Sequence, residues 1–303
     1  MMILLFFLAT FLAIFFLIGK ALDLEAERIV DQLFARNGEG IILGTKPMEV
    51  LSGKKSAIIF SHGFLCTPEG FYGLAKEKTL TDNFDIYLTL LPYCARSLRL
   101  ASKFNNEIIE QYLYEKVKAI SAKYESVVLV GYSYSGALVS KLAAEKMIPE
   151  NCYPILYAPG VYIQANNLIV RIIHDIYGFW RKYCNYKLLK ASFPAYESGD
   201  EAARPYLENE RSLRYRVIPA LAEMMRYDKQ IRKKLPKIDC PISVIMSEND
   251  NRVCHKRIQE AYQKNPHCDF YSLPSGKHLP HLGKQKDKFN QILFETALRF
   301  INR

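Results

Sequence analysis

The stretch that decides the fold is residues 127–139, which read Val-Val-Leu-Val-Gly-Tyr-Ser-Tyr-Ser-Gly-Ala-Leu-Val. Its first four residues are a short apolar run ended by a glycine, which is typical of a buried parallel strand. Apolar residues at helical spacing follow directly after Gly136. The pattern therefore predicts a strand, a tight turn and a helix, with Ser133 at the corner. Its hydroxyl is expected to lie beside the first N–H groups of the helix.

The turn around Ser133 departs from the G-x-S-x-G nucleophile-elbow pattern at one position. Gly131 stands two residues before the serine, but Ser135 stands two residues after it, where the pattern has glycine, and Gly136 comes next. Serines between glycines also occur in ordinary strand-to-helix loops. These residues alone leave a catalytic serine and a structural turn as alternatives, and the rest of the chain has to discriminate between them.

Strands and helices alternate on both sides of this stretch, which predicts an α/β fold with a mostly parallel sheet covered by helices on both faces. The alternation stops between residues 159 and 236, where the chain is aromatic, basic and helical in pattern, and this segment is interpreted as a helical cap inserted at about residues 160–236. The predicted strands are 56–61, 84–91, 127–130, 153–158, 241–246 and 269–273, and the predicted helices include 24–33, 253–263 and 286–301.

The N-terminus is apolar. Residues 2–19 carry no charge and are rich in Phe, Leu and Ile, and Lys20 ends the run. A helix of this length measures about 27 Å, close to the thickness of the hydrocarbon core of a bilayer. No Lys or Arg precedes the run, which favours an uncleaved, single-pass membrane anchor over residues 1–22. The alternative is a signal peptide, cleaved near Gly19-Lys20-Ala21, and an exported protein. The remaining residues, 23–302, are predicted to form the α/β domain with its cap.

The charge is uneven along the chain. The formal net charge is +10, and residues 181–237 alone contain 14 Lys or Arg against 7 Asp or Glu. This predicts a solvated helical surface, or alternatively a face that approaches anionic lipid headgroups. No helix-turn-helix, zinc-finger or RNA-binding signature accompanies the charge, so a nucleic-acid partner is not expected.

The cysteines predict neither a disulfide framework nor a structural zinc site. There are 7 cysteines, scattered and without a C-x-x-C pair. No H-E-x-x-H helix is present, and Gly38, Gly40 and Gly44 have the wrong spacing for a dinucleotide fingerprint. We therefore expect no metal and no cofactor.

A nucleophilic serine needs an imidazole base, and the imidazole needs a carboxylate to hold its tautomer. Both are expected in loops at the carboxyl ends of later strands, the same sheet edge as Ser133. Two loops supply the candidates: the turn after strand 241–246 contains Asp250, and the turn after strand 269–273 contains His278. The alternatives are Glu248 as the acid, and His281 as a loop histidine that supports the site. His62 is expected to brace its own loop.

Four segments now stand in a fixed order: Ile-Phe-Ser-His-Gly-Phe at 59–64, the serine turn at 131–136, Ser-Glu-Asn-Asp at 247–250, and Gly-Lys-His at 276–278. In content and order they resemble the α/β-hydrolase family, in the branch of monoacylglycerol lipases and small carboxylesterases, over residues 56–301. The resemblance implies that Ser133 is the nucleophile, His278 the base and Asp250 the orienting acid. It also implies an oxyanion hole formed by the backbone N–H groups of Phe64 and Tyr134.

The function that these observations predict is hydrolysis of a carboxylic ester, a monoacylglycerol or a similar lipid ester, through an acyl-enzyme. The expected partners are this small acyl ester and, through the N-terminal helix, a membrane. One alternative is an aminopeptidase or amide hydrolase of the same fold, which usually needs acidic cap residues and so fits the basic cap poorly. The other is a membrane-tethered binding protein that has lost catalysis, an alternative that rests on Ser135 alone.

Overall fold

The computed structural model describes residues 2–164, 176–185, 211 and 215–302. Its centre is a seven-stranded sheet in the order β1-β3-β2-β4-β5-β8-β9. All neighbouring pairs are parallel except the edge pair of β1 and β3. The strands are β1 Met48–Val50, β2 Ser56–Ser61, β3 Asp85–Leu88, β4 Ser126–Tyr132, β5 Cys152–Tyr157, β8 Ile242–Ser247 and β9 Cys268–Leu273. The predicted mostly parallel sheet is confirmed.

Helices cover both faces of the sheet, as predicted. Side chains that alternate along a strand enter different hydrophobic cores: Ile59 packs in the core on one face, and Ile58 and Phe60 pack in the core on the other. Burial on both faces explains why these strands read as continuous apolar runs. In the described part of the chain, besides the helical residues 176–180, the α-helices are α1 Met2–Leu33, α2 Lys78–Thr81, α3 Leu98–Ala101, α4 Asn106–Ser121, α5 Tyr134–Ala144, α6 Ile218–Arg232, α7 His255–Tyr262 and α8 Lys286–Ile301.

Only part of the predicted cap lies within the described residues, and that part is not purely helical. Residues 176–180 and α6 are helical, but β6 Tyr183–Asn185 pairs antiparallel with β7 Tyr215–Val217. The prediction of an all-helical cap is wrong in this respect, because strands of three residues are too short to show an alternating pattern. Residues 165–175, 186–210 and 212–214 of the cap lie outside the described residues.

The N-terminal helix α1 is 32 residues long and by its length and composition could cross a membrane. It continues without a break across residue 22, the predicted boundary between the N-terminal segment and the α/β domain. Residues 24–33 are helical and end at Leu33 as predicted, but they are the C-terminal part of α1 rather than a short helix of their own. Ala26 and Val30 from this part are buried in the same core as α4 and α5.

Candidate active site

Ser133 lies at the sharp turn between β4 and α5. Its backbone has φ 51° and ψ −111°, a strained conformation for a residue with a side chain. Two hydrogen bonds hold it there: Ser133 N–H donates to the Tyr157 carbonyl at 3.0 Å, and the Ser133 carbonyl accepts from Gly160 N–H at 2.7 Å. Because both partners lie at or just beyond the end of β5, the neighbouring strand maintains the turn.

The glycines around the turn are required by close backbone packing. A Cβ atom at Gly131 would lie 3.0 Å from the Cα of Gly136, and a Cβ at Gly136 would lie 2.9 Å from the Cα of Pro159. Neither position has room for a side chain. The predicted strand, turn and helix therefore form for the expected reason: only small residues let α5 start this close to β4 and to the end of β5.

Ser135, the departure from the glycine pattern, is completely buried and makes its hydrogen bonds at the end of β2. Its Oγ lies 2.8 Å from the Oγ of Ser61 and donates to the carbonyl oxygen of His62. The side chain thus joins the start of α5 to the loop that carries Phe64. The extra atoms are accommodated by partners on β2 rather than by displacement of the turn.

The structure brings the three predicted site side chains together. The Nε2 atom of His278 lies 2.8 Å from Ser133 Oγ, and its Nδ1 atom lies 2.8 Å from Asp250 Oδ2. His278 and Asp250 are both buried. With a proton on Nδ1 and none on Nε2, the imidazole donates to the carboxylate and accepts from the serine hydroxyl, which is the arrangement that allows it to act as a base.

Asp250 is held in its ionised form. Burial of the carboxyl group acts to raise its pKa, but the interaction with His278 and the surrounding hydrogen bonds outweigh burial, and the pKa is lowered. Its Oδ1 atom accepts from the backbone N–H groups of Arg252 at 2.8 Å and Val253 at 3.0 Å. Glu248, the alternative acid, is exposed.

Two further histidines are buried near the site and are held neutral. Burial lowers the pKa of His62 to about 4 and that of His281 to about 3. His62 accepts from Leu91 N–H at Nε2 and contacts the Gly63 carbonyl through Nδ1, so it braces its own loop. The His281 ring packs against Tyr132 and Tyr157, with centroid separations of 5.4 Å and 5.2 Å. Both agree with the supporting roles expected from the sequence.

The two predicted oxyanion amides lie at the carboxyl ends of adjacent strands, Phe64 after β2 and Tyr134 at the start of α5. Among the described residues, no backbone carbonyl accepts a hydrogen bond from either N–H group. Their rings contact each other with a centroid separation of 6.1 Å. The Tyr134 hydroxyl donates to Asn106 Oδ1 at 2.7 Å, and Asn106 Nδ2 donates to Glu223 on α6.

Several supporting residues are not apparent from the sequence. Gly160 anchors the serine turn from β5, Ser61 pairs with Ser135, and Gln164 donates through Nε2 to the carbonyls of Asp250 and Val253 at 3.1 Å and 3.0 Å. Gly160 and Gln164 belong to no periodic pattern or spaced motif, and Ser61 lies in the segment 59–64 but nothing in that segment indicates Ser135 as its partner.

Within the described ranges, no group of three or more His, Cys, Asp or Glu side chains is arranged to hold a metal ion. All seven cysteines are free thiols. The described groups at this edge of the sheet include a hydroxyl, an imidazole, a carboxylate and the two peptide N–H groups predicted from the sequence. Together they are equipped for nucleophilic attack on an acyl group.

Known proteins resemble this chain in their fold. A search of curated proteins finds no significant match. Among solved structures, one described as LipS and LipT, two metagenome-derived lipolytic enzymes, has a TM-score of 0.68 and 16% identity, covering 86% of this chain and 99% of that one. A soluble variant of monoglyceride lipase from Saccharomyces cerevisiae has a TM-score of 0.67 and 14% identity, and the match covers 84% of this chain and 91% of that one. The monoacylglycerol lipase of Paleococcus ferrophilus has a TM-score of 0.62 and 13% identity, covering 84% and 98%.

At these identities the structural neighbours establish a shared fold. The sequence itself gives the assignment, because the family model described as "Alpha/beta hydrolase family" matches residues 58–292, a range that runs from β2 into α8 and contains all five predicted site residues. The chain therefore belongs to the alpha/beta hydrolase family.

Proposed function

We propose that the protein is a serine hydrolase that cleaves carboxylic esters, with monoacylglycerol or a similar lipid ester as its substrate. The observation that carries the proposal is the continuous hydrogen-bonded chain from Ser133 through His278 to Asp250, with both links at 2.8 Å. An uncharged hydroxyl is a weak nucleophile, and this arrangement removes its proton as it attacks.

In the first half of the reaction, Ser133 Oγ attacks the acyl carbon while His278 Nε2 takes the hydroxyl proton. The Nδ1–H of the resulting imidazolium donates to Asp250, which stabilises the cation without taking the proton. The tetrahedral oxyanion accepts from the N–H groups of Phe64 and Tyr134, each worth about 3 kcal/mol in such a site. His278 Nε2–H then protonates the departing alcohol, which leaves an ester on Ser133.

In the second half, water takes the place of the alcohol. His278 removes a proton from the water as the water oxygen attacks the acyl carbon. The second oxyanion that forms accepts hydrogen bonds from the same two N–H groups. The intermediate expels Ser133 Oγ, which regains its proton from His278. The fatty acid leaves and the resting state is restored.

Lipid esters are favoured as substrates by two features. The first is α1, whose residues 2–18 present apolar side chains to the exterior and would keep the enzyme where such esters dissolve. The second is the set of structural neighbours described as monoglyceride, monoacylglycerol or lipolytic enzymes. The burial and hydrogen bonds of Ser135 point away from an inactive binding protein, because its side chain is accommodated at the end of β2 and Ser133 keeps its contact with His278.

The test compares wild type, Ser133→Ala and Ser272→Ala on a series of p-nitrophenyl esters and on monoacylglycerols. Ser272 is an exposed serine on β9 and serves as the matched control. We expect Ser133→Ala to lose a factor on the order of 10⁴ to 10⁶ in rate while Ser272→Ala stays near wild type. Equal turnover by wild type and Ser133→Ala would contradict the proposal. Faster cleavage of amino-acid amides than of lipid esters would instead favour the alternative that the protein is an amide hydrolase.

We also propose that α1 anchors the protein in a membrane by a single uncleaved span. Extraction of membranes with carbonate or high salt should leave the full-length protein in the pellet, since a spanning helix is released only by detergent. Release by either wash, or a mature N-terminus near residue 22, would show instead that the segment is a peripheral contact or a cleaved signal peptide.

A further inference from the structure

The helix α1 has two parts with different surroundings. Residues 2–18 are exposed apart from the half-buried Phe15, whereas Gly19, Asp23, Ala26 and Val30 are buried. These four lie four, three and four residues apart, so they form one stripe along the helix. The apolar part is thus continuous with a part that is packed into the α/β domain, and no flexible linker separates the two.

Cap residues 176–180 contact α1 at the transition between these parts. The Trp180 ring stacks on the ring of Phe15 with a centroid separation of 4.3 Å, and its Nε1–H donates to the Phe15 carbonyl at 2.6 Å. A Cβ at Gly19 would lie 2.5 Å from Cδ1 of Trp180, so only glycine permits this approach. Phe179 also meets Phe16, at 6.5 Å between centroids.

Polar contacts then fix the beginning of β6 to the next turn of α1. The buried Asp23 carboxylate accepts from the backbone N–H groups of Lys182 at 2.9 Å and Tyr183 at 3.0 Å. The Tyr183 hydroxyl donates to Glu27 at 2.9 Å. This part of the cap and the helix are therefore joined by both apolar packing and hydrogen bonds, which sets their relative orientation.

The outer side of the cap segment is apolar and adjoins the apolar surface of α1. Ile176 is 55% exposed and Phe179 is 66% exposed, and both are large hydrophobic side chains. Basic residues are present in the same region: Lys20, whose Nζ lies 5.1 Å from the Phe16 ring, and Lys182, which is exposed and follows Trp180 by two residues. Aromatic and aliphatic side chains bordered by lysines are the composition of a surface that enters the headgroup region of a bilayer.

The point at which Trp180 contacts α1 is consistent with contact between the cap segment and a lipid bilayer. Residues 2–18 form a helical segment of about 25 Å, close to the thickness of a hydrocarbon core of about 30 Å. Phe15 is in the last turn of this segment, so an anchor that spans the hydrocarbon core with residues 2–18 would bring Trp180 to the depth where acyl chains meet headgroups, the depth at which tryptophan is enriched in membrane proteins.

We propose that residues 176–180 are a second membrane contact, inserted into the interface of the lipid bilayer beside α1. The domain is then held in one orientation, with this part of the cap against the bilayer, rather than suspended on a mobile tether. The inference rests on the proposed anchoring by α1 and is independent of the proposed ester chemistry.

The protein contains one tryptophan, so Trp180 is a natural fluorescent reporter. The test reconstitutes the full-length chain into phosphatidylcholine vesicles that carry bromine on the acyl chains, either near the headgroup or near the chain terminus. Bromine quenches tryptophan only at short range. We expect bromine near the headgroup to reduce Trp180 emission by about twofold or more, and bromine near the chain terminus to have a much smaller effect.

The matched control is the double variant Trp180→Phe with Phe7→Trp, which moves the reporter to an exposed position inside the apolar segment. Its emission should be quenched more strongly by the deep bromine, which calibrates the depth scale. If this control is quenched but Trp180 in the wild type is quenched by neither lipid, the anchor inserts and the proposed cap contact is wrong. If the control is not quenched either and vesicle flotation fails, the anchor itself is wrong.

Discussion

Replacing Ser135 by alanine removes the hydroxyl that joins the start of α5 to the end of β2. The side chain is completely buried, and its Oγ contacts both the Ser61 hydroxyl, at 2.8 Å, and the His62 carbonyl. The residue lies next to Tyr134, and His62 lies two residues before Phe64. Ser135 is therefore a positioning residue, because it ties together the two segments whose N–H groups we assign to the oxyanion hole.

The magnitude follows from the groups that the substitution leaves without their partner. A buried polar group that loses its hydrogen bond costs about 1–3 kcal/mol, and both the Ser61 hydroxyl and the His62 carbonyl lose one. We expect Ser135→Ala to reduce the free energy of unfolding by about 2–3 kcal/mol. Removing an oxyanion donor outright costs about 3 kcal/mol in the transition state, so loosening its support should cost less, about 1 kcal/mol or roughly fivefold in kcat.

The assay combines two measurements on the full-length protein in detergent micelles: urea unfolding, and steady-state kinetics on a p-nitrophenyl ester. The effect on activity should appear in kcat with KM nearly unchanged, because the oxyanion exists only in the transition state and the intermediates. The double variant Ser61→Ala with Ser135→Ala should be less destabilised than the sum of the single variants by about 1 kcal/mol, since no buried hydroxyl remains unpaired.

Three results would contradict this reasoning. A Ser135→Ala protein with wild-type stability would mean that the two contacts contribute nothing. A variant that is destabilised but has unchanged kcat would mean that the hydroxyl supports the fold without positioning the oxyanion amides. Additive effects of Ser61→Ala and Ser135→Ala would likewise show that the two hydroxyls are not coupled.

Three other predictions concern buried titratable groups. Asp250→Asn should lower kcat by about 10⁴-fold with the protein still folded, because the amide favours the wrong tautomer of His278; a loss below tenfold in the ester assay would argue against this role. Because the pKa of His62 falls from 6.5 to about 4 on folding, its contribution to stability is present above pH 6.5 and is lost as the pH falls toward 4. Urea unfolding at pH 7 and pH 5 should therefore show wild type losing about 2 kcal/mol more than His62→Gln, and equal losses would contradict the assignment. Glu110 accepts from Lys141 at 2.6 Å and from Tyr227 at 2.5 Å. Glu110→Ala should lower the free energy of unfolding, measured by thermal unfolding, by about 3 kcal/mol, because the mostly buried ammonium of Lys141 loses its main partner. The control Glu125→Ala, which breaks an exposed ion pair with Lys55, should lower it by less, and an equal loss would contradict the prediction.

The sequence by itself determined the elements whose signals are local. The apolar run before Gly131 is long enough to identify a buried strand, and the repeated apolar positions of residues 286–301 identify a helix with the bounds observed. The order of the four loop segments also predicted that Ser133, Asp250 and His278 lie at one edge of the sheet. This works because parallel strands bring all their carboxyl ends to the same edge, whatever the distance along the chain.

Other features were decided only by the tertiary structure. The edge strand at residues 48–50 and the strand pair in the cap have three residues each, and contacts with distant segments stabilise them rather than any pattern of their own. The continuity of α1 past residue 22 depends on burial of Ala26 and Val30 against the domain. A periodic pattern describes the faces of one segment, whereas each of these features depends on contacts between segments that are distant in the sequence.

Ser135 illustrates the difference most clearly. In the sequence it is a deviation from a glycine pattern, which is compatible both with an active hydrolase and with a binding protein that has lost catalysis. In the structure the side chain has a specific place, since Ser61 at the end of β2 offers a hydroxyl 2.8 Å away. Whether a larger residue obstructs a turn or supports it depends on the partners that the fold brings to it, and those partners lie more than seventy residues away in the sequence.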